Sequence, residues 1–175
     1  MAFALSLPVL GGCAAPIIGA ATDERSFGDH FNDTQIEAAV KRAVVSAQKS
    51  KILDINVYSF YGDVYLIGEA DQGLTNKAME AARSVDGVRS ITTYFFPPGT
   101  MTSADLLTEA KINEKLLFAS GITSSQVQVD VWGGHAVLLG ILSSPGEIEK
   151  VLNVVKEVPE VKKVKSYLRL RPNAV

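Results

Sequence analysis

Displaced by 72 residues, the sequence falls into register with itself. Asp33 meets Asp105, Val40 meets Ile112, Val44 meets Leu116, Ile55 meets Val127 and Val57 meets Val129. Gly62 then meets Gly134, Leu66 meets Leu138 and Gly68 meets Gly140. One inserted residue moves the offset to 73, pairing Val85 with Val158, Val88 with Val161 and Ile91 with Val164. Such a repeat constrains the fold more than any single motif, because both halves must be the same structural unit.

Each half reads as helix, strand, strand, helix, strand. Asp33 is an N-cap candidate, followed by Ile36, Val40, Val44 and Ala47 at helical spacing. Residues Ile55 to Phe60 and Val64 to Gly68 alternate like strands around the turn residues Tyr61, Gly62 and Asp63. An alanine-rich second helix over Leu74 to Val85 ends at Asp86 and Gly87, and Arg89 to Phe95 reads as a third strand. The economical arrangement is an α+β fold of two tandem αββαβ domains, each a three-stranded mixed sheet with both helices on one face. The expected boundaries are 33–96 for the first domain, 97–104 for a linker containing Pro97, Pro98 and Gly99, and 105–172 for the second domain. Glu160 stands where the first repeat has Gly87, and Pro159 precedes it, so the last helix is expected to end differently.

The N-terminus carries a second signal. A short apolar run from Met1 to Val9 leads into Leu10, Gly11, Gly12 and Cys13, the sole cysteine. The run is far shorter than the about 20 residues of a membrane-spanning helix and has the length of a signal-peptide core. Small residues before a lone cysteine are similar to a bacterial lipobox, in which the thiol is lipidated and becomes the new N-terminus. Residues 1–12 are therefore expected to be a signal peptide and 13–32 a lipidated cysteine with a tether. No Lys or Arg lies between Met1 and Cys13, so a complete export signal would start upstream. Ala14 follows the cysteine where lipoproteins retained at the inner membrane often carry aspartate, which points to the outer membrane, facing the periplasm.

Two stretches carry a family resemblance. The pattern from Asp33, Ile36 and Val40 through Gly62, Val64, Leu66 and Gly68 to Val85-Asp86-Gly87-Val88 resembles the BON domain. It recurs at Ile112, Gly134, Leu138, Gly140 and Val158 to Val161. With Ala21 to Arg25 ahead of the first copy, nearly the whole chain from Cys13 is similar to the dual-BON outer-membrane lipoproteins. These include the division- and outer-membrane-stress-associated lipid-binding family. The resemblance implies binding to phospholipid membranes and a part in envelope or osmotic stress. It also implies that the first helix of the second domain contacts lipid. The family carries an aromatic near the start of that helix, and this chain has Leu107 there.

The inventory for catalysis is poor. The two histidines, His30 and His135, belong to the tether and to a turn, and no His, Cys or Asp spacing matches a metal site. No catalytic residue, cofactor, metal or small-molecule substrate is expected. The net charge of −2 argues against nucleic acid as a partner, although Lys162, Lys163, Lys165, Arg169 and Arg171 form a basic C-terminal pole. The sheet faces turned away from the helices carry Tyr58, Phe60, Tyr65 and Ile67 in one half, and Trp132, Val137, Leu139 and Tyr167 in the other. Aromatics beside Lys165, Arg169 and Arg171 would suit stacked bases, but apolar patches of this size are better explained by two sheets covering each other or a partner.

The first helix of the second half is apolar on two faces. At about 100° per residue, Thr108, Ile112, Leu116 and Ala119 make one stripe, while Leu106, Ala110 and Leu117 fall about 120–160° away and Leu107 and Phe118 lie beyond about 200°. The corresponding positions of the first half, Thr34, Gln35, Ala38, Val45 and Ser46, are mostly polar. The second face must meet an anionic phospholipid membrane or pack on the first domain. The candidate phospholipid contacts are Leu106 and Leu107 as apolar wedges, with Lys111 and Lys115 reading phosphate. The alternative function is that of a protein-interaction adaptor docking an envelope partner.

Overall fold

The computed structural model describes residues 27–48 and 55–172. Cys13, the signal peptide and most of the tether lie outside the described residues. The elements run α1 (Phe27–Gln48), β1 (Ile55–Phe60), β2 (Asp63–Glu69), α2 (Gln72–Arg83) and β3 (Ser90–Phe96), then α3 (Ser103–Phe118), β4 (Gln128–Trp132), β5 (His135–Leu142), α4 (Pro145–Lys156) and β6 (Lys163–Leu170). A single 3-10 turn, Ser124–Gln126, precedes β4. The duplicated αββαβ order is present in full.

Each half forms its own mixed sheet of three strands, in the orders β1-β2-β3 and β4-β5-β6. The first pair is antiparallel and the second parallel in both. The registers obey the repeat: Asp63 faces Ser90 and His135 faces Lys163. The hairpins are closed by Tyr61-Gly62 and Gly133-Gly134, all four at positive φ. Two such residues make the tight turn whose twist matches that of paired strands. Helix-facing cores form behind each sheet, with Val40, Val44, Val64, Leu66, Ala78 and Ala82 in the first domain. Their counterparts in the second include Ile112, Leu116, Leu138, Val151 and Val155.

Several local expectations need correction. α1 begins at Phe27, so residues 27–32 are helical rather than tether, and Asp33 is no N-cap but a buried residue in the second turn. The N-cap of α3 is Thr102, whose side chain forms a reciprocal capping box with Asp105. The linker therefore closes at Thr102. α2 ends at Arg83 with Ser84 as a right-handed cap, two turn residues before Asp86. α4 ends the same way, at Lys156 with Glu157 as cap, despite Pro159 and Glu160. The difference is confined to the following turn: Gly87 has φ +88°, whereas Tyr61 is the sole non-glycine at positive φ among the described residues, so Glu160 is not in that conformation.

The other faces of the two sheets cover each other. Phe60, Tyr65, Ile67, Phe96, Trp132, Val137, Leu139 and Ile141 form one buried cluster across the domain seam. Burial on both faces is why β2 and β5 read as nearly continuous apolar runs. Contacts across the seam come in exchanged pairs. Arg169 bonds Asp63 at 2.8 Å, and the repeat equivalents of those two residues, Phe96 and His135, meet with ring centroids 5.6 Å apart. Phe96 stacks on Trp132 at 6.1 Å, and the equivalents Arg169 and Phe60 meet through an Arg169 N–H donated to the Phe60 carbonyl at 3.1 Å. This exchange is the mark of a two-fold, isologous interface. The chain is a pseudo-dimer of its own halves.

Candidate functional site

With the sheets docked on each other, the helices face outward, and α3 presents its second apolar face to solvent. Asp105, Thr108, Ile112 and Leu116 point into the core. Leu106 is 54% exposed, Leu107 66%, Leu117 65% and Phe118 78%. Packing of this face on the first domain, one of the two readings of the sequence, does not occur. The stripe runs about 18 Å along the helix at 1.5 Å per residue. Glu114 is exposed within this stripe, and an otherwise apolar stripe left open on a folded domain marks a surface for lipid or a partner.

The lysines stand differently from the leucines. Lys111 donates a hydrogen bond to the Glu160 carboxylate, and Lys115 lies 4.0 Å from Glu157. Both acids follow α4, so the two lysines lean along the α3–α4 edge rather than over the leucines. The Lys111 ammonium holds the Glu160 carboxyl below its usual range through that hydrogen bond. A shallow groove beside them is lined by Glu114, Lys115, Phe118, Ala119, Val154 and Glu157. Thus the structure brings Leu106 and Leu107 into one open patch, and puts Lys111 and Lys115 in ion pairs on its flank.

Leu117 and Phe118 belong to the same patch and are not among the candidate contacts drawn from the sequence. Their signal is their position on the helical wheel, where Leu117 overlays Leu106 and Phe118 lies near Leu107. The equivalent surface of the first domain is polar and indented. There a groove between α1 and the following turns is lined by Ile36, Ala39, Arg42, Gly87 and Arg89 among others. The small residues Ala39 and Gly87 occupy the repeat positions of Lys111 and Glu160, so the ion pair that fills this edge in the second domain is missing from the first. Phe31, also on α1, is an exposed aromatic.

No group of three or more His, Cys, Asp or Glu side chains among the described residues is arranged to hold a metal ion. No described helix is long and apolar enough to cross a membrane.

Comparison with known proteins agrees with this geometry. A family model described as "BON domain" matches residues 32–95 and again 104–172. Osmotically-inducible protein Y of Escherichia coli is 28% identical over 151 residues, covering 82% of this chain and 75% of that protein. Outer membrane lipoprotein DolP of Haemophilus influenzae is 24% identical over 168 residues, with 89% and 86% covered. A 21 kDa hemolysin of Actinobacillus pleuropneumoniae is 30% identical over 151 residues, with 81% and 76% covered. The chain belongs to the BON domain family and carries two copies of the domain in tandem.

Proposed function

We propose that this chain is a non-enzymatic envelope lipoprotein, held at the periplasmic face of the outer membrane by a lipidated Cys13, whose second domain lays α3 on anionic phospholipid and supports outer-membrane integrity. The observation that carries this reading is the open stripe Leu106, Leu107, Leu117 and Phe118 on a helix whose opposite face is fully used by the core. A similar protein named as an outer membrane lipoprotein supports the location.

Apolar insertion supplies most of the binding energy. Burying two leucines stabilises the bound state by about 2–4 kcal/mol when burial is incomplete. Lys111 and Lys115 contribute only after exchanging Glu160 and Glu157 for phosphate. Because those ion pairs are solvent-exposed, they are held weakly and the exchange is accessible. The sum is weak binding, made useful by the anchor, which raises the local concentration of lipid.

The test is flotation of the unlipidated chain, residues 22–175, with liposomes rich in anionic phospholipid. The wild type is expected to float, and added salt to weaken but not abolish it. The double variant Leu106→Asp, Leu107→Asp is expected to stay at the bottom with an unchanged circular dichroism spectrum. Both positions are exposed, and acids in the first turns of a helix are tolerated. Equal flotation of the double variant would reject α3 as the lipid surface and leave the protein-interaction adaptor as the better reading.

A further inference from the structure

A buried polar cluster lies on the pseudo-two-fold of the domain seam. Tyr58 and Asp130 occupy the same position in the two repeats, and the Tyr58 hydroxyl donates to Asp130 Oδ1 at 2.9 Å. Asn56 Nδ2, also from the first domain, donates to the same oxygen at 2.8 Å. The other oxygen, Oδ2, is buried and has no hydrogen-bond partner among the described residues. Asp130 as a whole is 4% exposed.

The charged groups that act on this pair are anionic; Lys165 of β6 stands beyond Val137 in the same row of the sheet, with its ammonium over the Tyr167 ring at 4.9 Å. Glu37 of α1 and Glu109 of α3 are themselves repeat equivalents, and each accepts a backbone N–H from the strand beside it, Glu37 from Ser59 at 2.7 Å and Glu109 from Val131. Both carboxylates bear on Tyr58, and Glu109 also interacts with Asp130. On β5 the residue paired with Asp130 is Val137, which offers no charge. The seam's arginine, Arg169, is engaged elsewhere, at Asp63 and Phe60. An anion buried here therefore faces a second carboxylate, with one oxygen unsolvated, and such a group stabilises a structure less than its neutral form does.

We propose that Asp130, with Tyr58, Asn56 and Glu109, is a proton-operated latch between the two domains: taking up a proton tightens the docking of the sheets, and losing it loosens them. The inference rests on the docked sheets and not on the lipid surface of α3. Burial pushes the Asp130 carboxyl up to about 6, against the lowering effect of its hydrogen bonds to Tyr58 and Asn56. Burial and the Asp130 charge likewise push Glu109 up. With the domains apart, Asp130 would return towards its ordinary value near 3.9. The docked form then binds the proton more tightly, so its advantage is greatest in acid and declines as pH rises through about 6. Between pH 5 and pH 7.5 the docking equilibrium should change by about tenfold.

Trp132, the only tryptophan of the chain, sits in the seam stacked on Phe96 and reports its opening. The experiment measures acrylamide quenching of Trp132 and hydrogen exchange of β1 and β4, corrected for intrinsic rates, in the full chain from pH 5 to 7.5. The wild type should open about tenfold more readily at pH 7.5 than at pH 5. Asp130→Asn, which mimics the protonated form, should be closed at both. Glu109→Gln keeps Asp130 but removes its charged neighbour, and should shift the midpoint to lower pH. A wild type without pH dependence, an Asp130→Asn chain that retains it, or a Glu109→Gln midpoint that does not move would each overturn the latch.

Discussion

The Asp105 carboxylate accepts the backbone N–H of Gly134 at 2.8 Å, tying the first turn of α3 to the β4–β5 hairpin. Asp33 does the same for Gly62 at 2.8 Å, and also holds Tyr61 N–H and the Ser59 hydroxyl at 2.7 Å each. A turn with both central residues at positive φ points its N–H groups inward, where water does not reach them. A buried carboxylate on the neighbouring helix supplies the acceptors. This explains why an aspartate is paired with an aspartate, and a glycine with a glycine, at the same offset in the repeat.

Replacing Asp105 with alanine should remove both this clamp and the α3 capping box, destabilising the protein by about 2–4 kcal/mol. Burial pushes the Asp105 carboxyl up, but hydrogen bonds from Thr102, Gly134 and Gly133 outweigh it and hold the group below its ordinary value. A carboxyl lowered in the folded state contributes fully above its unfolded value near 3.9 and loses that contribution as pH falls through the lowered value. Urea unfolding of wild type and Asp105→Ala should therefore show a gap that is constant from pH 7 to 5 and shrinks below about pH 4. A gap that persists unchanged at pH 2 would mean that the carboxylate's charge is not what holds the turn.

Gly140 and Gly146 should respond to alanine with opposite sign. A Cβ at Gly140, which has φ +152°, would stand 2.0 Å from the Gln126 carbonyl oxygen, a backbone atom of the 3-10 turn. Either the turn or β5 must move, and thermal unfolding should register a loss of about 3 kcal/mol or more. Gly146 has open space and lies in the first turn of α4, where alanine should stabilise by up to about 1 kcal/mol through helix propensity and a stiffer unfolded chain. A tolerated Gly140→Ala would show that the close approach of the 3-10 turn to β5 is not maintained in solution.

The repeat makes the domain plan legible because αββαβ periodicity is local and is written twice. Strand positions agree within a residue or two, for instance Val64 to Gly68 against Asp63–Glu69. Helix starts are harder. Asp33 looks like an N-cap, but it and its repeat partner Asp105 are each recruited by a hairpin distant in sequence, and no local pattern reveals such a long-range acceptor. The covering of one sheet by the other follows from Phe60, Tyr65, Val137 and Leu139, since these faces have to be buried somewhere. That burial, in turn, frees the second face of α3. What the sequence hides is the state of Lys111 and Lys115: their partners Glu160 and Glu157 lie more than forty residues away, beyond any helical spacing rule.

How α3 would lie on a membrane depends on its C-terminal end. If the helix dips in by its N-terminus, Leu106 and Leu107 carry the contact alone. If it lies flat, Leu117 and Phe118 enter as well, because all four side chains share one exposed stripe of a helix about 24 Å long. Exposure favours the flat pose, with Phe118 the most open of the four. Leu117→Ser with Phe118→Ser removes apolar area at solvent-exposed positions, so the cost to folding should stay within about 0.5 kcal/mol. The loss in lipid binding should be about 2–4 kcal/mol, comparable to that of the Leu106 and Leu107 pair. Lys111→Gln with Lys115→Gln should instead diminish the salt dependence of flotation while leaving most of the binding at high salt, since those lysines add only the electrostatic part. Flotation with liposomes of the same composition separates the poses. A Leu117 and Phe118 variant that floats like wild type, beside a Leu106 and Leu107 variant that does not, would establish the tilted pose and reject the flat one.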